Sequence, residues 1–381
     1  MNRHRLRDAG LRLAARIPVA PAVPRAFELM LLRPDHLGDV LFLTPALRRL
    51  RQALPDATIT AVVGPWGAPV LAGNPDVDEV LTLPFPGFTR RPGGRVQPYR
   101  LLACWARILR ERAPAAVVVL RDDHWWGALL AQRAGVPLRI GADHPAVAPY
   151  LTHRIPLGGP HWVQRNAALL DATVRILGGT PPEEPVTPAT APLRPPATDG
   201  AEAAASTLLA AAGVSGPYLA VVPGAGAPVK HWLAPRWAAV ATEVARAAGM
   251  MVVLTGSSSE AALIDQICAA IGAPAASLAG RTDLPTLAAI LRRARLAVGV
   301  DSGPMHLAVA VGTPTVHLFG PSSVDDFGPW GAPRRHRVVS AGLRCPRCGD
   351  LSPERPEGAG CMVAISTEAV LAAVQEVLAD G

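Results

Sequence analysis

Short apolar runs alternating with amphipathic helical stretches, in two successive series, constrain this chain most. Residues 218–222, 251–256, 296–300 and 313–320 are apolar almost throughout. Strands of that kind belong in a parallel sheet covered on both faces. Amphipathic stretches at 235–248, 260–271 and 284–293 supply the covering helices. The first half repeats the pattern, with strands expected at 27–32, 58–63, 80–83, 116–120 and 138–140 and helices at 99–112 and 162–177. After the first strand, Val40, Leu43, Leu47, Leu50 and Leu54 recur at helical spacing. Pro45 falls inside that pattern and predicts a kink or a tightened first turn. Residues 179–200 are rich in Pro and Thr and aperiodic, which marks a linker. A length of 381 residues suits two such domains. The boundaries read as a basic segment over 1–25, an N-terminal domain over 26–178, a C-terminal domain over 201–365 and a final helix within 366–381.

In parallel sheets ligands bind beyond the carboxyl ends of the strands. Three polar or glycine-rich turns, 223–230, 256–260 and 301–306, fall on that edge of the second series. Asp301 ends a strand, Ser302 and Gly303 turn, and Pro304 sits where a first helical turn tolerates a missing N–H. The following helix start, with His306 one turn along, suits a diphosphate, although a polar turn without any ligand has the same appearance. Gly224, Ala225 and Gly226 form a loop that lets backbone amides approach an anion. Beyond it stands Lys230, the only lysine in an arginine-rich chain, as a point charge for phosphate or a plain surface residue. Glu260 reads either as a nucleoside contact or as the acid of a helix first turn. In the first half, Gly38 precedes Asp39, which is either a general base or a helix cap. Asp35 and His36 are competing titratable groups nearby.

The composition narrows the function further. Half of the residues are hydrophobic, but no run reaches the roughly 20 needed to cross a bilayer. The formal charge of +7 fits an anionic ligand or surface. Arg3, Arg5, Arg7, Arg12 and Arg16, interleaved with Leu6, Leu13 and Ile17, suit either acidic lipid or a solvated tail. The segment lacks the apolar core of a secretory signal, so a cytoplasmic location is expected. Aromatics at 4% and scattered arginines argue against nucleic acid. Cys104 and Cys268 read as core residues. Cys345, Cys348 and Cys361, with His336 in reach, leave open a zinc site, a Cys348–Cys361 disulfide or free thiols.

Taken together, residues 33–40 (Arg-Pro-Asp-His-Leu-Gly-Asp-Val) with 44–47 (Thr-Pro-Ala-Leu), the Lys230-His231-Trp232 turn and residues 301–306 resemble glycosyltransferase family 9, the ADP-heptose heptosyltransferases. The order and spacing match from about residue 29 to 361. The resemblance implies the α/β GT-B fold: two facing Rossmann-like doubly wound domains with an interdomain cleft. It implies an inverting reaction without catalytic metal or other cofactor. A sugar, heptose or a relative, would pass from an ADP-sugar to a hydroxyl of a glycan or lipid-linked acceptor, with the lipopolysaccharide inner core as the expected one. Asp39 then becomes the catalytic base and Lys230 balances the donor diphosphate. Gly38, Gly224, Ala225, Gly226, Glu260, Asp301, Ser302, Gly303 and His306 become donor-site residues. Ala225 and Gly226 stand where the family often has hydroxylated contacts, so side-chain donors are lost there.

Two rivals remain from other classes: a sugar-nucleotide epimerase of the same fold, and a non-catalytic nucleotide-sugar-binding protein. A loop over 84–98, rich in Pro, Gly and Arg, suits a charged acceptor or is a solvent loop. A helix is expected over 367–378, crossing back to the first domain if it follows the family's architecture.

Overall fold

The computed structural model describes residues 19–23, 27–89, 96–197, 199–343 and 359–380. Contacts divide the chain into two units: residues 1–36, 43–159 and 163–185 in one, and 37–42, 160–162 and 186–381 in the other.

The first unit is built on β1 (Glu28–Arg33), β2 (Thr58–Val63), β3 (Glu79–Thr82), β4 (Ala116–Val119), β5 (Leu138–Ala142) and β6 (His153–Ile155). All pair in parallel, in the order β3-β2-β1-β4-β5-β6. That order is the doubly wound Rossmann arrangement. Leu29 to Leu32 are fully buried, as a central parallel strand requires. The helical pattern after β1 is split into α1 (Leu37–Leu41) and α2 (Thr44–Ala53). Pro45 lies in the first turn of α2, where its missing N–H costs nothing, so the helix restarts there. Then come α3 (Gln97–Arg112), α4 (Trp125–Arg133) and α5 (Trp162–Ile176). Cys104, expected in the core, is exposed. The buried residues of α3 are Ala106 and Leu109, three apart, and Cys104 falls across the helix from that stripe.

The second unit begins with α6 (Ala201–Ala211) after residues 179–197, which form no helix or strand. It continues with β7 (Tyr218–Val222), α7 (Ala234–Ala248), β8 (Met251–Leu254), α8 (Ala261–Ala270), β9 (Ala275–Ser277), α9 (Leu284–Arg293), β10 (Leu296–Val300) and α10 (Gly303–Ala310). β11 (Thr315–Phe319), α11 (Val324–Phe327), β12 (His336–Ser340), α12 (Gly360–Val363) and α13 (Thr367–Ala379) complete it. Its parallel sheet runs β12-β11-β10-β7-β8-β9, the same winding as the first. Val370, Ala373, Val374 and Val377 of α13 are buried in this unit's own core, where the helix packs on β11, β12 and α7.

Candidate active site

Each sheet reverses direction beside its first strand, between β1 and β4 and between β7 and β10. An ion pair crosses each of these switch points. In the second unit, Lys230 Nζ donates to Asp301 Oδ2 at 2.6 Å. In the first, Asp35 at the end of β1 pairs with Arg121 at the end of β4, and with Arg33 at 3.0 Å.

Lys230 is held by its neighbours in sequence. Val229 and Trp232 on either side are buried, and Trp232 Nε1 donates to the Ile365 carbonyl at 3.1 Å. The short Pro228–Lys230 turn therefore has little freedom, and the ammonium is left over the strand ends. Asp301 is 5% exposed and also lies 3.3 Å from His306 Nε2. Burial alone would push its carboxyl up, but the charge of Lys230, followed by His306, holds it well below the usual range. Asp301 is thus an anion whose charge Lys230 neutralises.

The sequence places glycine at 38 and 303, and the structure gives the reason. A Cβ on Gly38 would lie 3.0 Å from His306 Cδ2, and one on Gly303 would lie 2.8 Å from Leu37 Cδ2. These glycines let α1 press against the start of α10. Asp39 is the third residue of α1, half-buried and inside the first turn rather than at the N-cap before it. The ring of Phe42, at the end of α1, lies 4.6 Å from that of His306. Asp39's helix, the 302–303 turn, His306, Asp301 and Lys230 therefore form one contiguous group within the second unit.

The α10 turn offers fewer amides than its sequence suggests. Met305 and His306 N–H groups donate to the Ser302 carbonyl, and Pro304 has none. The Gly303 amide and the Ser302 hydroxyl remain as donors, the hydroxyl buried and without a partner among the described residues. In the β7 loop, the Ala225 amide is engaged with His231 Nε2 at 3.3 Å, while Gly226 is exposed. Glu260 Oε2 accepts from the Ser257 amide at 2.7 Å and hydroxyl at 2.6 Å, a capping box. Its other oxygen lies against Gly224, where a Cβ would come within 2.1 Å of it. Gly224 and Glu260 are thus in direct contact.

Asp35 and His36 have other duties. Asp35 is buried, and although burial pushes its carboxyl up, Arg33 and then Arg121 bring it below the usual value. Such a carboxylate is a poor proton acceptor. His36 is exposed, with its ring 5.6 Å from that of Trp66. Sequence reasoning passed over the buried Thr255 hydroxyl at the end of β8, unpartnered among the described residues, whose position just before Gly256 was the available signal. It also passed over His161, whose Nε2 lies 3.0 Å from the Gly328 carbonyl, for which no local pattern gives a signal. Among the described residues no cluster of His, Cys, Asp or Glu could hold a metal ion. Cys345, Cys348, the arginines at 90, 91 and 95, and the basic segment through residue 18 lie outside the described residues.

Two doubly wound Rossmann-like units are the building blocks of the GT-B fold, which glycosyltransferases share with sugar-nucleotide epimerases. Residues 104–351 match glycosyltransferase family 9 (heptosyltransferase), and the chain belongs to that family. It is 29% identical to lipopolysaccharide heptosyltransferase 3 of Escherichia coli K12 over 77% of this chain and 82% of that protein. It is 27% identical to lipopolysaccharide heptosyltransferase 2 of Salmonella typhimurium over 85% and 92%. The crystal structure of the family 9 glycosyl transferase of Veillonella parvula superposes with a TM-score of 0.76 at 24% identity, covering 95% of this chain and all of that one. Family membership sets the epimerase reading aside.

Proposed function

We propose that this protein transfers heptose from ADP-heptose to a hydroxyl of a lipopolysaccharide inner-core sugar, with inversion and without a metal. The observation that carries the reading is the Lys230–Asp301 pair at the switch point of the second sheet, where a parallel sheet binds its ligand. The names of the related enzymes supply the sugar and the acceptor class.

In this mechanism residues 201–365 take the donor and 26–178 the acceptor. The donor diphosphate meets Lys230, the Gly303 amide and the Ser302 hydroxyl. These groups are fixed before the sugar leaves, so they stabilise the charge that develops on ADP at little reorganisation cost. Asp301 anchors Lys230 and hydrogen-bonds the sugar, and His306 orients Asp301. Glu260 uses one oxygen for its capping box and turns the other toward the nucleoside. The loop of Gly224, Ala225 and Gly226 lies along the diphosphate, with Gly38 keeping α1 close. Asp39 takes the proton of the acceptor hydroxyl as it attacks the anomeric carbon. The reaction runs on the cytoplasmic side, with the basic amino-terminal segment resting on anionic lipid.

A donor screen tests the assignment. Purified protein, offered ADP-heptose and other nucleotide-sugars with a truncated lipopolysaccharide acceptor, should give a product heavier by one heptose. Transfer from a different nucleotide-sugar, with none from ADP-heptose, would overturn the choice of donor.

A further inference from the structure

The Phe42 ring meets two imidazoles inside the second unit. It lies 4.6 Å from the ring of His306 on α10 and 4.9 Å from that of His161, the residue before α5. The planes are inclined at 59° and 73°, and ring pairs so spaced and tilted attract each other beyond the area they bury. His161 is held in turn by the Trp330 ring at 4.7 Å and by the Gly328 carbonyl, 3.0 Å from its Nε2. Trp330 Nε1 donates to the Ala191 carbonyl at 2.8 Å. All four rings are buried.

This row of rings ends on the segment that carries Asp39. With five residues, α1 is too short to persist through its own hydrogen bonds. Pro45 has no N–H to carry the ladder on into α2. The order of α1 therefore comes from packing. Gly38 and Gly303 bring its start against α10, and Phe42 secures its end. The Phe42 amide donates to the Gly38 carbonyl at 3.0 Å, so the helical turn that it closes contains Asp39. A shift of the ring is thereby passed to the backbone that aims the carboxylate. The chain gives residues 37–42 and 160–162 to the second unit, although the sequence flanking 37–42 belongs to the first. His161 joins the later of these segments to the earlier one.

We propose that His161 and Phe42 are positioning residues for the transfer reaction: His161, backed by Trp330, holds the Phe42 ring, and Phe42 sets the direction of Asp39. The inference rests on Asp39 as the base, and neither ring touches a reacting atom.

Hydrogen exchange of the full chain, read on peptides spanning 37–42, tests the brace without any substrate. His161→Leu should quicken exchange there at least tenfold. The same variant should lower kcat for sugar transfer at least tenfold while the Kd for ADP stays within threefold, a split that general destabilisation does not produce. His161→Phe keeps a ring against Phe42 and should restore both exchange and kcat to within threefold of the unaltered chain. Phe42→Leu leaves the His161 bond to Gly328 in place, yet should reproduce the faster exchange and the loss of kcat. Combining the two leucine substitutions should cost less than threefold beyond either alone, because both remove one contact. Exchange decides the brace even where the unaltered chain transfers no sugar, so this inference and the transfer reading fail separately. Unchanged exchange over 37–42 in both leucine variants, or equal losses of kcat and ADP affinity in His161→Leu, would overturn the proposal.

Discussion

Lys230 and Asp301 are joined at 2.6 Å across the point where the second sheet reverses its winding. Neither side chain is there by accident of surface placement. Asp301 is fixed by its strand, its amide donating to the Leu318 carbonyl at 3.0 Å, and Lys230 by the buried Val229 and Trp232. In the proposed mechanism the pair offers the donor diphosphate a cation whose position is set before the ligand arrives.

Lys230→Ala should weaken ADP binding about 10- to 100-fold, or about 1.4–2.8 kcal/mol. It should also lower stability, since Asp301 is left buried without its cation. Because Lys230 is the only lysine, reductive methylation modifies a single side-chain amine. ADP should protect that amine, as read by mass spectrometry of the peptide; equal labelling with and without ADP would count against the contact.

Gly38→Ala should lower turnover, because the new methyl group presses on the His306 ring. Overpacking of this kind typically costs about 1–3 kcal/mol. In a His306→Ala background the same substitution should cost much less. A double-mutant cycle on stability and on turnover measures that coupling, and additive losses would mean that the two residues act separately.

Asp35→Asn should destabilise the protein by about 3–5 kcal/mol, because it strips a charge partner from a buried arginine. Arg33 is 1% exposed and lies 3.0 Å from that carboxylate. Urea unfolding of the variant is the direct check, and a loss below about 1 kcal/mol would show that the Arg33 and Arg121 pairs contribute little.

Stability should fall with acidification between about pH 6.5 and 4. Burial, the largest influence on each, pushes His124 and His336 down to about 4. Unfolded, these rings would take up protons from about pH 6.5, so the unfolded chain binds more protons throughout that window. Stability therefore rises with pH across it and is lost on the way down, by at most about 1.4 kcal/mol per pH unit for each ring. Urea midpoints measured from pH 7 to pH 4.5 check the sign.

The central strands were legible in the sequence because burial on both faces leaves them nothing but apolar residues. Residues 296–300 and 58–63 coincide with β10 and β2. The strands that escaped, β6, β9 and β12, are all at sheet edges. Their sequences, His-Arg-Ile, Ala-Ala-Ser and His-Arg-Val-Val-Ser, carry polar or weakly β-forming residues because one side meets solvent. Of the site, the residue types were readable at Lys230, Asp301 and Asp39, since each follows a strand or opens a helix. Their partners were not. The Lys230–Asp301 contact spans 71 positions, and Arg121 reaches Asp35 across 86, so only the winding of the sheets brings them together.

The most direct test of the account is Asp39→Asn, measured for turnover and donor affinity on the same preparation. With Asp39 as the base, kcat should fall by about 10²–10⁴-fold, with the Kd for ADP within about threefold of the unaltered protein. Unchanged turnover, or equal losses in turnover and ADP affinity, would contradict a proton-accepting Asp39.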